Sequence, residues 1–193
     1  MGEMGLEFEE RCVAPVASVI LIRHAESKGA GRYLGRRSDP SLSERGHAQA
    51  EALARRLAGE PLAAIYSSPL RRALETAQAI ARPHGLEVRT VEGLIDIDYG
   101  GWQGLPREEV ERTYPDLYRL WEQSPHLVRM PGGESLEDVR ERALRLIDKV
   151  TVEFGKAEGA VALVSHRVVN KVLICALLGP VSYTHLRAHE TRH

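Results

Sequence analysis

Val16-Ala17-Ser18-Val19-Ile20-Leu21-Ile22-Arg23-His24-Ala25-Glu26-Ser27 decides how the chain folds. Its first seven residues are nearly all apolar and largely β-branched, the pattern of a strand buried on both faces. An arginine and a histidine follow with no turn residue between. A buried strand that ends in a cation and an imidazole places chemistry at the sheet edge where open α/β folds bind ligands.

The same pattern recurs further along. Residues 160–164 form another apolar run, closed by Ser165-His166 as the first is closed by Arg23-His24. Shorter runs lie at 62–66 and 86–91. Between them Leu42, Ala50, Leu53, Ala54 and Leu57 keep helical spacing up to Gly59, and Ser41-Leu42-Ser43-Glu44 resembles a capping box. Ser68 before Pro69 predicts the cap of a second helix, with a positive dipole end, running to about Arg82. Short helices are predicted near 107–113 and 116–123. A long one is capped by Ser135, and the last spans about 168–178. Strands alternating with helices predict an α/β fold, an open three-layer sandwich with a mostly parallel sheet flanked by helices.

At 193 residues the chain suits one domain, and its net charge of −1 gives no field to attract nucleic acid or an acidic membrane. Cys12 and Cys175 show neither metal nor disulfide spacing, which suits a reducing cytoplasm. No stretch is long and apolar enough to span a membrane. Residues 1–15 read as a loose acidic leader, and 16–180 as the domain. Residues 181–193 match a translated sequencing adapter over Val181 to Thr191. The helical spacing of His185, His189 and His193 is therefore set aside as a metal site. The natural protein is expected to continue beyond Pro180 with a final strand.

In a parallel sheet the ends carrying Arg23, His24 and His166 open onto one edge, joined by Arg72 in the first turn after the 62–66 strand. Two guanidinium forks and two imidazoles suit a phosphoryl group. Arginines repel a divalent cation, so an imidazole is expected to act as nucleophile rather than as metal ligand.

The chain resembles the histidine phosphatase superfamily, the phosphoglycerate mutase-like family, from Val16 to about Gly179. The family's Arg-His-Gly-Glu motif stands as Arg23-His24-Ala25-Glu26. A second signature stands as Asp39-Pro40-Ser41-Leu42-Ser43-Glu44-Arg45-Gly46-His47-Ala48-Gln49-Ala50, and a third as Ser68-Pro69-Leu70-Arg71-Arg72-Ala73-Leu74-Glu75-Thr76-Ala77. Gly132-Gly133-Glu134-Ser135 and Val164-Ser165-His166 match as well, the former siding with the family's small phosphatases.

This resemblance implies a metal-independent phosphomonoester hydrolase with no cofactor, acting on a small phosphorylated metabolite. His24 is implied as the nucleophile, with Arg23, Arg72 and His166 holding the phosphoryl oxygens. The family acid, usually Glu, falls on Asp96, with Asp98 as fallback. Strand-like alternation would point both acids the same way; alternatively they only bind the Tyr99-Gly100 turn. Ser27 and Arg36 are expected to bind substrate. Arg32, Arg36 and Arg37 either grip a second phosphate or carboxylate or form an exposed basic loop. Arg167, where the family has a small residue, either touches substrate or faces outward. Tyr114, Tyr118 and Trp121 either line the leaving-group pocket or form local core. Mutase-type transfer and an idle phosphate-binding module are the alternatives; the oligomeric state is not readable.

Overall fold

The computed structural model describes residues 18–178. The leader, Cys12, the three spaced histidines and the adapter-like segment lie outside the described residues, as does the expected final strand. Among the described residues no helix is long and apolar enough to cross a membrane.

Four parallel strands, β1 (Val19–Arg23), β2 (Leu62–Ser67), β3 (Val88–Thr90) and β4 (Ala160–Ser165), form one sheet in the order β1-β4-β2-β3. Six α-helices accompany them among the described residues: α1 (Glu44–Leu57), α2 (Arg71–Ala81), α3 (Arg107–Thr113), α4 (Pro115–Gln123), α5 (Leu136–Phe154) and α6 (Arg167–Leu177). The two-residue period of a strand divides its side chains between two cores. Val19 and Leu21 of β1, Tyr66 of β2 and Val161 and Leu163 of β4 join the core under α5 and α6. Ile20, Ile22, Ile65, Ala162 and Val164 join the core that holds Leu57 of α1 and Ala73, Ala77 and Ile80 of α2. Helix layers on both faces explain why the strands read as continuous apolar runs. The expected three-layer sandwich is the fold observed.

Several boundaries differ from expectation, each for a visible reason. The cap of α1 is Ser43, whose Oγ accepts from the Gly46 N–H at 3.0 Å, so Glu44 is already helical and no capping box forms at Ser41. Helix α2 starts at Arg71, not at Pro69. The Ser68 hydroxyl lies 2.8 Å from His166 Nε2 and accepts the Leu70 N–H at 3.3 Å, ahead of the helix, while Asp39 takes the Arg71 N–H at 2.6 Å. The α2 dipole end therefore meets Asp39. Strand β3 shortens to three residues, paired with Ile65–Ser67 of β2. At α5 the cap holds as read: Ser135 and Asp138 exchange hydrogen bonds in a capping box.

Candidate active site

The hydrogen-bond ladder runs one residue past the strands and fixes what stands at the sheet edge. The His24 N–H donates to Ser165 O, and the Ser68 N–H to Val164 O, both at 2.9 Å. His24 and His166 are thereby brought side by side, ring centroids 5.1 Å apart. The Ser165 hydroxyl donates to Leu94 O at 2.7 Å and pins the segment that carries Asp96 two residues later.

Arg72 enters from α2 and is fully buried. Its Nη1 donates to Ser38 O, and its Nη2 to Gly35 O and to Asp96 Oδ2 at 3.0 Å. The loop after β1 thus wraps the guanidinium. Thr76, one turn along α2, accepts the Ala25 N–H at 3.1 Å and donates to Arg72 O. The signal for this role in the sequence is its position four residues after Arg72, on the same helix face.

The two imidazoles are held differently. His24 Nδ1 lies 2.6 Å from the Ala25 carbonyl oxygen. A carbonyl only accepts, so Nδ1 carries the proton and donates it, leaving the lone pair on Nε2. Burial, with Arg72 and Arg23 adding positive charge, lowers the His24 pKa to about 4, against the opposing pull of that carbonyl. His166 is more deeply buried and its pKa moves the same way, again through burial first and Arg72 second. Its Nδ1 is 3.5 Å from Asp96 Oδ2 and makes no hydrogen bond, and neither does the buried Nε of Arg72.

Asp96 experiences opposed forces. Arg72 and the Ile97 N–H, which donates to Oδ1 at 2.9 Å, favour the carboxylate. Burial favours the neutral acid and is the larger effect, so its pKa rises. Two carbonyls share the charge of Arg72 with Asp96, which weakens the ion pair.

A cavity of about 1100 Å³ opens over these groups. Arg23, His24, Ser27, Arg72 and Asp96 line it, while His166 sits behind His24 and Asp96. Arg36 does not join them: its guanidinium turns to Glu134 at 3.6 Å and Glu92 at 3.9 Å. Arg37 pairs with Asp98 at 2.8 Å, and Asp98 Oδ1 accepts the Gly100 N–H. Asp98 therefore serves the turn, and the two acids point apart because this segment is not a strand. Arg32, Arg167 and Trp121 line the cavity, while Tyr114 and Tyr118 pack near Trp102. Glu134 and Arg142 were also missed as functional residues. Arg142 donates to Gly93 O, to Asp96 O and to Glu134, and so holds the backbone of the acid.

The family model of the histidine phosphatase superfamily (branch 1) matches residues 19–192. The chain belongs to that superfamily. This histidine phosphatase is 44% identical over 166 residues to phosphoserine phosphatase 1 of Hydrogenobacter thermophilus, covering 85% of this chain and 77% of that protein. It is 38% identical over 175 residues to a bifunctional protein of Mycobacterium tuberculosis, covering 89% of this chain but only 47% of that longer one. A mycobacterial glucosyl-3-phosphoglycerate phosphatase solved with inorganic phosphate superposes with a TM-score of 0.76 at 33% identity, over 83% of this chain and 78% of the other. The chain is an enzyme, a phosphomonoesterase of this superfamily.

Proposed function

We propose that this histidine phosphatase hydrolyses small phosphorylated metabolites through a phosphohistidine on His24. The observation that carries the reading is the state of that ring: its proton is fixed on Nδ1, it is neutral above a pKa of about 4, and it lines the cavity beside Arg23 and Arg72. A neutral imidazole with a lone pair on Nε2 is a nucleophile at pH 7.

In the first step Nε2 bonds to phosphorus as the bond to the leaving oxygen breaks. Asp96, whose affinity for a proton burial raises, gives a proton to that oxygen. The Nε–H of Arg72, buried without a hydrogen-bond partner in a side chain that lines the cavity, supplies a contact for the phosphoryl oxygens, whose charge spreads in the transition state, while Nδ1 of His166 stands 3.5 Å from the acid, Asp96. In the second step the Asp96 carboxylate takes a proton from water, the water oxygen bonds to phosphorus, and the N–P bond breaks. Phosphate leaves and His24 recovers its lone pair. Every proton and bond is accounted for by His24, Asp96 and water.

The named relatives support the hydrolytic outcome, and one is a structure that holds phosphate. The cytoplasm suits these substrates and the free thiol of Cys175. Hydrolysis of p-nitrophenyl phosphate in excess chelator tests the proposal. Turnover is expected to persist with chelator and to fall at least about a thousandfold in His24→Ala. Turnover that requires added metal, or that survives without His24, overturns it.

A further inference from the structure

Two imidazoles stand at the same sheet edge, and their hydrogen bonds differ in kind. His24 meets a carbonyl, so its Nδ1 keeps the proton and Nε2 is left bare. His166 meets a hydroxyl, the Oγ of Ser68, 2.8 Å from its Nε2. A hydroxyl can donate or accept, so the direction of this bond decides which nitrogen of His166 carries the proton. His166 is 1% exposed and Ser68 is fully buried, so bulk solvent does not complete the bonding of either side chain.

The surroundings of Ser68 fix that direction. Its backbone N–H is tied to Val164 O at 2.9 Å, and Pro69 after it favours extended backbone, so the hydroxyl is held across the end of β4. Its oxygen already accepts the Leu70 N–H at 3.3 Å. Its own proton needs an acceptor, since a buried hydroxyl that donates to nothing is costly. Among the described residues the acceptor within reach is His166 Nε2. Burial first, then the charges of Arg72, His24, Arg142 and Arg23, keep the ring from taking a second proton. With Nε2 accepting, the single proton sits on Nδ1, the buried atom that has no hydrogen-bond partner and lies 3.5 Å from Asp96 Oδ2. Arg72, which holds the same oxygen at 3.0 Å, likewise keeps an unpartnered Nε.

We infer that Ser68 is a positioning residue: its hydroxyl donates to Nε2 of His166 and commits that ring to an Nδ1–H that faces Asp96. Its role in turnover rests on the hydrolase reading centred on His24, in which Asp96 gives a proton to the leaving oxygen. In the opposite tautomer Nδ1 would be bare, a second base beside the acid and a competitor for its proton. With Nδ1 protonated, the Asp96 proton stays available for the leaving oxygen, and the carboxylate left behind faces a donor. One sheet edge thus carries a lone pair on His24 and an N–H on His166, because a carbonyl binds one ring and a hydroxyl the other.

Nitrogen NMR of the enzyme labelled with heavy-nitrogen histidine reads the tautomer directly at neutral pH, the His166 signals being assigned by their loss in His166→Gln. The wild type is expected to carry the proton on Nδ1 of His166. Ser68→Ala removes the hydroxyl and adds no bulk. In it a population with the proton on Nε2 is expected, because Nε2 has lost its donor and Nδ1 can accept from the acid. Its kcat is expected to fall about tenfold on phenyl phosphate, whose basic leaving oxygen needs a proton, and about threefold or less on p-nitrophenyl phosphate, with KM little changed on both. A wild-type proton on Nε2, or a tautomer unchanged in Ser68→Ala, overturns the assignment. Equal losses on the two esters overturn the action of Ser68 through Asp96. No turnover on either ester by a folded wild type overturns the hydrolase reading, while the spectrum still tests the tautomer.

Discussion

His24 and Asp96 move away from their ordinary pKa values for one reason, burial beside a cationic clamp, yet the consequences differ. For the imidazole, burial and positive neighbours both disfavour the proton, so it stays neutral down to about pH 4. For the carboxyl, burial favours the proton and Arg72 opposes it. Attack needs the deprotonated ring and departure needs the protonated acid, so activity rises with pH through about 4 and falls again as Asp96 ionises above the ordinary range. A kcat/KM profile checks this, and an acid limb near 6.5 would contradict the neutral ring. Asp96→Asn keeps a polar group beside Arg72 but has no proton to give. It is expected to cost about a hundredfold or more on an alkyl phosphate. On p-nitrophenyl phosphate, whose leaving group departs without a proton, the loss is smaller. Equal losses on the two substrates would assign Asp96 to binding rather than to proton transfer.

Two elements that never touch phosphorus hold those that do. The loop after β1 surrounds Arg72 with the carbonyls of Gly35 and Ser38, and α5 sends Arg142 to the carbonyls of Gly93 and Asp96. Arg142 and Glu134 are both mostly buried, so Arg142→Met leaves two carbonyls and a carboxylate short of a donor. It is expected to destabilise the fold by about 2–3 kcal/mol, read by urea unfolding, and to lower kcat as the Asp96 backbone loosens. Arg142→Lys should not rescue kcat, because a point charge cannot span three acceptors; full rescue would show that charge alone suffices. This contact also marks where reading the sequence stops. The strands were legible because burial on both faces leaves continuous apolar runs, and α5 because Ser135 caps it locally. Arg142 was not, since an arginine on an amphipathic helix looks like solvent-facing charge. Nor was the engagement of Ser68 with a histidine 98 residues away. The sequence sets Arg36 at the substrate, whereas the folded loop sends it to Glu134 and its neighbour Arg37 to Asp98.

Across the whole molecule, the parallel order β1-β4-β2-β3 places the ends of three strands at one edge, and the burial that shapes the core also keeps His24 and His166 neutral. That neutrality has a thermodynamic consequence. In the unfolded chain His24 takes up a proton near pH 6.5, whereas the folded chain refuses it until about pH 4. Between those values the unfolded state binds more protons, so stability is greatest above 6.5 and falls as the pH drops toward 4. His166 acts in the same direction. Asp96, with its raised pKa, acts oppositely, since its folded form holds a proton that the unfolded form has lost. Comparing the wild type with His24→Asn isolates the one ring. From pH 7 to pH 5 the wild type is expected to lose about 2 kcal/mol more than the variant, or roughly 4–8 °C in Tm for a domain of this size. Parallel loss in both proteins would mean that His24 is not held neutral, and the nucleophile would then need another source of activation.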